Sequence, residues 1–228
     1  MQSTISTLTT QSTPPAPPPP GRLTLEPLSS PTSGFLFPSI YSFPPFFTKQ
    51  PNPQTWSHQL SQWIQLILAY CKYTKTSEFN AISNQLVNDS ELFNNKAIKR
   101  QLPLEVLSEI LISMSNSNPP TIEFHSPISS RSTTSSSKPV IIKGGCYIYW
   151  KTPQEWSKTI YDWIKETGQQ GSILTFYELT QDPNVSSLEF YKLPEGLLRK
   201  VLEILRKEGK CTVLRGTLGE EGDGVKFV

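Results

Sequence analysis

The sequence predicts an α+β fold built as two similar halves behind a tail of different composition. Three observations carry this. Each half opens with a capped amphipathic helix, and each closes on a helix followed by strand-like segments. The residues before about 34 are mostly Ser, Thr and Pro, with few large apolar groups. Such a tail buries too little surface to offset the entropy of ordering it, so 1–34 reads as disordered. The bulk numbers agree: only 36% of the 228 residues are hydrophobic and 21 are Pro, much of the Pro lying before residue 54, so the deficit is local.

In the first half, Asn52 caps and Pro53 takes the first helical position. Trp56, Leu60, Trp63, Ile64, Ile67, Leu68 and Cys71 then form one apolar helical face. Gln59, Gln62 and Gln65 fall on the polar remainder. The stretch with Phe79, Ile82 and Leu86 fits a strand or a short helix. Ser90 is expected to cap a helix carrying Phe93, Ala97 and Ile98. Pro103 opens a third helix with Leu104, Leu107, Ile110, Leu111 and Met114 apolar, closed by Pro119 and Pro120. Thr121–Phe124 alternates as a strand.

Residues 126–139 are a Ser/Thr-rich linker or insert. Cys146–Trp150 is the next apolar strand, so the insert is expected to interrupt a hairpin as well as separate two domains. Thr152-Pro-Gln-Glu155 is a capping-box start. Its helix carries Trp156, Ile160, Trp163 and Ile164 and stops at Gly168. Ser172–Phe176 reads as a strand and Tyr177–Thr180 as a short helix or turn. Pro194 opens a helix with Leu197, Leu198, Val201, Leu202 and Leu205 apolar, ended by Gly209. Cys211–Leu214 and Val225–Val228 are strands flanking a loop with Gly216, Gly219, Gly222, Gly224, Glu220, Glu221 and Asp223. Each half therefore predicts three helices plus a small β-hairpin sheet, which is the winged-helix plan. The domains expected are 35–125 and 140–228. Trp56, Trp63, Trp156 and Trp163 are expected in the cores.

Tyr41-Ser-Phe-Pro-Pro-Phe-Phe47 precedes the first helix. Pro44 and Pro45 favour an extended or polyproline-like backbone, from which Phe43, Phe46 and Phe47 would project. A stiff segment loses little entropy on docking. On the residues alone, two readings stand: the aromatics anchor a partner, or they fold back on the first helix.

Several function classes find no support. Cys71, Cys146 and Cys211 form no CxxC and suit a reducing compartment. No metal-ligand spacing, phosphate loop or dinucleotide fingerprint occurs. His58 and His125 are tied to no nucleophile, so no catalytic residue, metal or cofactor is expected. The formal charge of +2 favours no nucleic-acid partner. The third helix of the first half bears Glu105 and Glu109 and no cation. In the second half, Arg199, Lys200, Arg206 and Lys207 interleave with Glu195, Glu203 and Glu208. A winged-helix regulator of nucleic acid is the alternative reading, opposed by these acids.

The blocks Phe43–Asn52, Gln59–Cys71, Leu92–Asn95 with Ile98 and Arg100, Tyr149–Trp156 and Gly224–Phe227 occur in one order. In them the chain resembles the small subunit of the endosomal sorting complex ESCRT-II, from about Tyr41 to Val228 outside 125–139. The resemblance implies a non-enzymatic scaffold with tandem winged-helix domains. It implies docking on the two larger winged-helix subunits of the complex through Pro44, Pro45, Phe46 and Phe47, with Tyr41 and Phe43. It implies that the second domain recruits an ESCRT-III subunit, for which Arg199, Lys200 and Lys207 form a candidate basic face. It also implies a cytoplasmic protein brought to the endosomal membrane through its complex.

Overall fold

The computed structural model describes residues 28–126, 142, 144–214 and 223–228. The expected tail up to residue 27, most of the Ser/Thr-rich insert, and Glu220 and Glu221 of the hairpin tip lie outside these residues. Two winged-helix domains follow one another. Each packs its own apolar core, the first around Trp63, Phe47, Leu92 and Leu107, the second around Trp156, Leu198, Leu202 and Phe227.

Part of the segment assigned to the tail is instead ordered on the first domain. Strands β1 (Leu28–Ser29) and β2 (Leu36–Phe37) pair antiparallel. Their hairpin is fastened by Glu91, which accepts from the Ser30 hydroxyl and, at 3.0 Å, from Tyr70 Oη. Phe37 stacks on Tyr41 with ring centroids 4.0 Å apart. Burial raises the Glu91 pKa, but hydrogen bonds from Ser30, Ser33, Tyr70 and Thr32 outweigh it and hold the carboxyl below its ordinary value. A depressed carboxyl stabilises the fold fully above its unfolded pKa and loses that contribution as pH falls through the folded one. The hairpin should therefore loosen only below pH 4.5, the ordinary carboxyl value. Amide exchange of Ser30 and Gly34, corrected for intrinsic rates, should show this loosening. Glu91→Gln should abolish its pH dependence.

Helix α1 (Pro53–Tyr73) starts as expected, with the Asn52 side chain accepting from Gln54 and Thr55 N–H. Strand β3 (Glu78–Phe79) and helix α2 (Asn84–Asp89) resolve the ambiguous stretch. The helix expected from Ser90 is absent. Ser90 ends α2, and β4 (Asn94–Asn95) pairs with β5 (Arg100–Gln101). The Asn95 side chain accepts from Ala97 N–H at 3.1 Å and Lys99 adopts φ 53°. Such a local side-chain bond competes with helical pairing and favours a turn. Helix α3 (Leu104–Ser115) follows.

The three-stranded sheet of this domain has the order β3-β7-β6, with β6 at Ile122–Phe124 and β7 at Cys146–Ile148. This corrects the boundary at 140. The central strand of the first sheet comes from beyond the insert, and Ile142, Cys146 and Ile148 lie in the first core. The insert thus interrupts a hairpin, and the second core begins with Tyr149.

Helix α4 (Pro153–Glu166) has the full capping box of Thr152 and Glu155. A second capping box, Thr175 with Glu178, starts α5 (Phe176–Thr180) directly after β8 (Ile173–Thr175). A short 3₁₀ turn (Pro183–Val185) leads to α6 (Glu195–Lys207), which packs on α4. Strands β9 (Cys211–Leu214) and β10 (Gly224–Phe227) form the wing, and the sheet order is β8-β10-β9. Trp63 and Trp156 are fully buried as expected, whereas Trp56 and Trp163 are only partly covered, at the core margins.

Candidate functional site

The aromatic arm is not extended. It forms two 3₁₀ turns, Ser39–Ser42 and Pro44–Phe47. Proline fixes φ near −65°, which fits the first turn of a helix as well as a polyproline backbone. The turn reverses the chain, and the aromatics separate by position. Tyr41, Phe46 and Phe47 point inward and are buried. Phe46 stacks on Trp63 at 4.3 Å, and Phe47 meets the same indole edge-on at 5.5 Å. These three side chains do not project, so the expectation that they stand out from an extended backbone is corrected. Their aromatic area is used inside the chain.

What the arm presents outward is Phe43, Pro44 and Pro45. All three are exposed, Phe43 by 40%. This apolar knuckle has a rigid base. Trp63 Nε1 donates to Phe46 O at 3.0 Å, and Gln59 Nε2 donates to Phe46 O at 2.6 Å and Thr48 O at 3.1 Å. Gln50 Nε2 donates to Pro45 O at 3.0 Å, and Asn95 Nδ2 to Tyr41 O at 2.8 Å. The Tyr41 hydroxyl donates to Glu91 O. Burial, then the Glu91 charge, keeps the Tyr41 phenol protonated. Gln59, placed on the polar face by periodicity, is buried because it supplies donors to carbonyls that the 3₁₀ turns leave unpaired. Beside the knuckle, Lys49 pairs with Glu109 at 2.7 Å, and Glu109 also accepts from Trp56 Nε1 at 3.0 Å.

The candidate basic face of α6 is divided. Arg199 is held by Glu195 at 2.6 Å and Asp223 at 2.5 Å and covers the Phe176 ring. Lys200 turns to the first domain, where it pairs with Glu123 and covers the Tyr147 ring. Lys207 alone of the three is mostly solvent-exposed, by 73%, with Glu203 at 3.9 Å. Among the described residues no group of three or more His, Cys, Asp or Glu is placed to hold a metal ion, and no helix is long and apolar enough to cross a membrane.

Comparison with known proteins decides the family. The family described as ESCRT-II complex subunit matches residues 40–194, which begin in the arm, cover the first domain and run into the second as far as the start of α6. The chain belongs to the ESCRT-II subunit family. Its ESCRT-II relatives include the vacuolar protein-sorting-associated protein 25 of Xenopus laevis, 37% identical over 85% of this chain and 99% of the relative. That of Homo sapiens is 34% identical over 85% and 97%. That of Schizosaccharomyces pombe is 36% identical over 80% and 93%. Among solved structures, subunit VPS25 of the endosomal trafficking complex ESCRT-II superposes with a TM-score of 0.64 at 28% identity, covering 84% of this chain and 98% of that one. A chain of the endosomal complex ESCRT-II (VPS22/VPS25/VPS36) gives 0.62 at 31% identity over the same shares. Tandem winged-helix architecture is thus shared with these ESCRT-II structures.

Proposed function

We propose that this chain is a non-enzymatic scaffold of an ESCRT-II complex and that it docks on two larger winged-helix subunits through Phe43, Pro44 and Pro45. The observation that carries this is the exposed apolar knuckle on a buried aromatic base, in a chain whose match covers 99% of a VPS25 relative. The matched structure of VPS22/VPS25/VPS36 supports the two larger subunits as the partner class. Tyr41, Phe46 and Phe47 act beneath the interface by fixing the knuckle. The base is already ordered, so docking loses little further conformational entropy.

Phe43→Ala tests this without disturbing the core. Affinity for the two larger subunits, measured by titration calorimetry, should fall by about 2 kcal/mol, roughly thirtyfold. The melting temperature should stay unchanged. Wild-type affinity in the variant would overturn the docking site.

The second domain, in this reading, recruits an ESCRT-III subunit, with Lys207 as the open cation of α6. Arg199 and Lys200 contribute less than a bare charge count suggests, because their carboxylate partners are in place. Lys207→Glu should slow association with ESCRT-III and flatten its salt dependence. An unchanged rate at low salt removes Lys207 from that face. The protein would act in the cytoplasm and reach the endosomal membrane through its complex. Nucleic acid is not an expected partner. A gel shift that weakened steeply with salt would instead favour the regulator reading.

A further inference from the structure

We infer that the two winged-helix domains form one rigid body, with Lys75 and Gly196 as the residues that set the angle between them. The functional consequence rests on the scaffold reading above; the rigidity does not.

Lys75 follows the end of α1 in the first domain. Its Nζ donates to three successive carbonyls of the second domain: Ser186 O at 3.0 Å, Ser187 O at 3.2 Å and Leu188 O at 3.0 Å. Three convergent carbonyls satisfy all three protons of an ammonium. The residue is held at φ 54°. That φ belongs to the left-handed residue that closes α1, where Thr76 N–H returns to Cys71 O at 2.8 Å and Lys75 N–H to Lys72 O at 3.3 Å. The helix end thus places Lys75 at the joint.

Gly196 lies in the first turn of α6, on the other side. Its φ is ordinary for a helix, so glycine is there for space. A Cβ at this position would overlap the Tyr147 hydroxyl. Tyr147 belongs to β7, the central strand of the first sheet. Its ring lies 4.4 Å from that of His125 and 5.0 Å from Lys200 Nζ. The tyrosine thus seats a first-domain strand in a notch of a second-domain helix.

Two further contacts close the joint. Trp150 Nε1 donates to Thr76 O and Ser77 Oγ, both at 3.1 Å, while its ring meets Trp156 of the second core edge-on at 4.8 Å. Glu123 of β6 accepts from Tyr149 Oη at 2.5 Å and pairs with Lys200. Isolated exposed ion pairs contribute little. Here an ammonium clamp, a shape notch, an indole bridge and a shared carboxylate act together on one interface. The consequence is that whatever docks on the second domain is held at a set direction from the knuckle.

The test uses the full chain with nitroxide labels on Gln65→Cys in α1 and Lys158→Cys in α4, both exposed. The native thiols Cys71, Cys146 and Cys211 are buried and do not compete for label. Pulsed electron resonance should give a single narrow distance. Lys75→Met keeps the side-chain stem and removes the ammonium. Gly196→Leu is a good helix former that wedges the notch. Each should broaden the distribution while circular dichroism and the melting of both cores persist. A broad distribution in the parent chain overturns the rigid body. Distributions in both variants as narrow as the parent's overturn the roles of Lys75 and Gly196. Binding of the two larger subunits, measured on the same proteins, is expected to be unchanged. Failure of the parent to bind them would sink the scaffold reading and leave the distances standing.

Discussion

Replacing Phe46 and Phe47 together with alanine is expected to unfold the first domain, in addition to any loss of assembly. Each ring is buried against Trp63, and Phe47 also meets Tyr41 at 5.3 Å. Truncating one such core phenylalanine costs about 3–5 kcal/mol. The two rings touch edge-on at 6.0 Å, so the two losses will not simply add. Even so, the sum approaches the roughly 5–15 kcal/mol that holds a domain together. Guanidinium melts followed by tryptophan fluorescence, to which Trp56 and Trp63 contribute from the first domain, should show a loss of that domain's transition. A double variant that melts like the parent would mean the arm is not part of the core. The same reasoning sets Phe43→Ala apart as the informative interface variant, since it leaves this stack alone.

Gly145→Val should be comparably severe, for a backbone reason. A Cβ at Gly145 would overlap the carbonyls of Phe79 and Asn80. Those atoms belong to the main chain at β3 and cannot swing aside as a side-chain tip can. Next to Gly145, β7 pairs Cys146 with Phe79 on one side and Phe124 on the other. The strand would have to leave one neighbour. Overpacking of this kind costs about 1–3 kcal/mol or more, and here it also removes hydrogen bonds of the central strand. Thermal denaturation should show a large drop confined to the first domain, with the capped α4 and its core retained. A fall of both domains together would show that the second depends on the first for folding.

The elements legible in the sequence were those with local causes. Asn52, Thr152 and the runs Leu104–Met114 and Leu197–Leu205 specify caps and apolar faces within a few residues of themselves. The tandem winged-helix plan followed from these, and the ordered motif blocks carried the family resemblance. What escaped had a distant or conformational cause. The hairpin of β6 and β7 was legible across the insert, but the pairing of β7 with β3, which makes it the central strand of the first sheet, joins residues with no local signal for each other. Glu91 stands out only once the chain brings Ser30 and Tyr70 to it. Gln59 looked like a surface residue because periodicity reports which side of a helix is apolar, not which carbonyls need donors. Lys75 and Lys99 adopt backbone angles that lysine seldom takes, so no propensity would find them. In the arm, Pro44 and Pro45 were compatible with two backbones. The choice was made by how well Phe46 fits the face of Trp63, a contact 17 residues away in sequence.

The borrowing of β7 from beyond the insert bears on how the chain is born. On a ribosome, β3 and β6 emerge with no strand between them. At ordinary synthesis rates β6 waits roughly one to five seconds, and β3 roughly three to fourteen, for Cys146–Ile148. Unpaired strand edges are the surfaces through which nascent chains aggregate. The completing strand is followed immediately by Tyr149 of the second core. Synthesis of the second domain therefore begins as soon as the first is completed, and a gene fragment ending at residue 125 would encode a sheet without its middle.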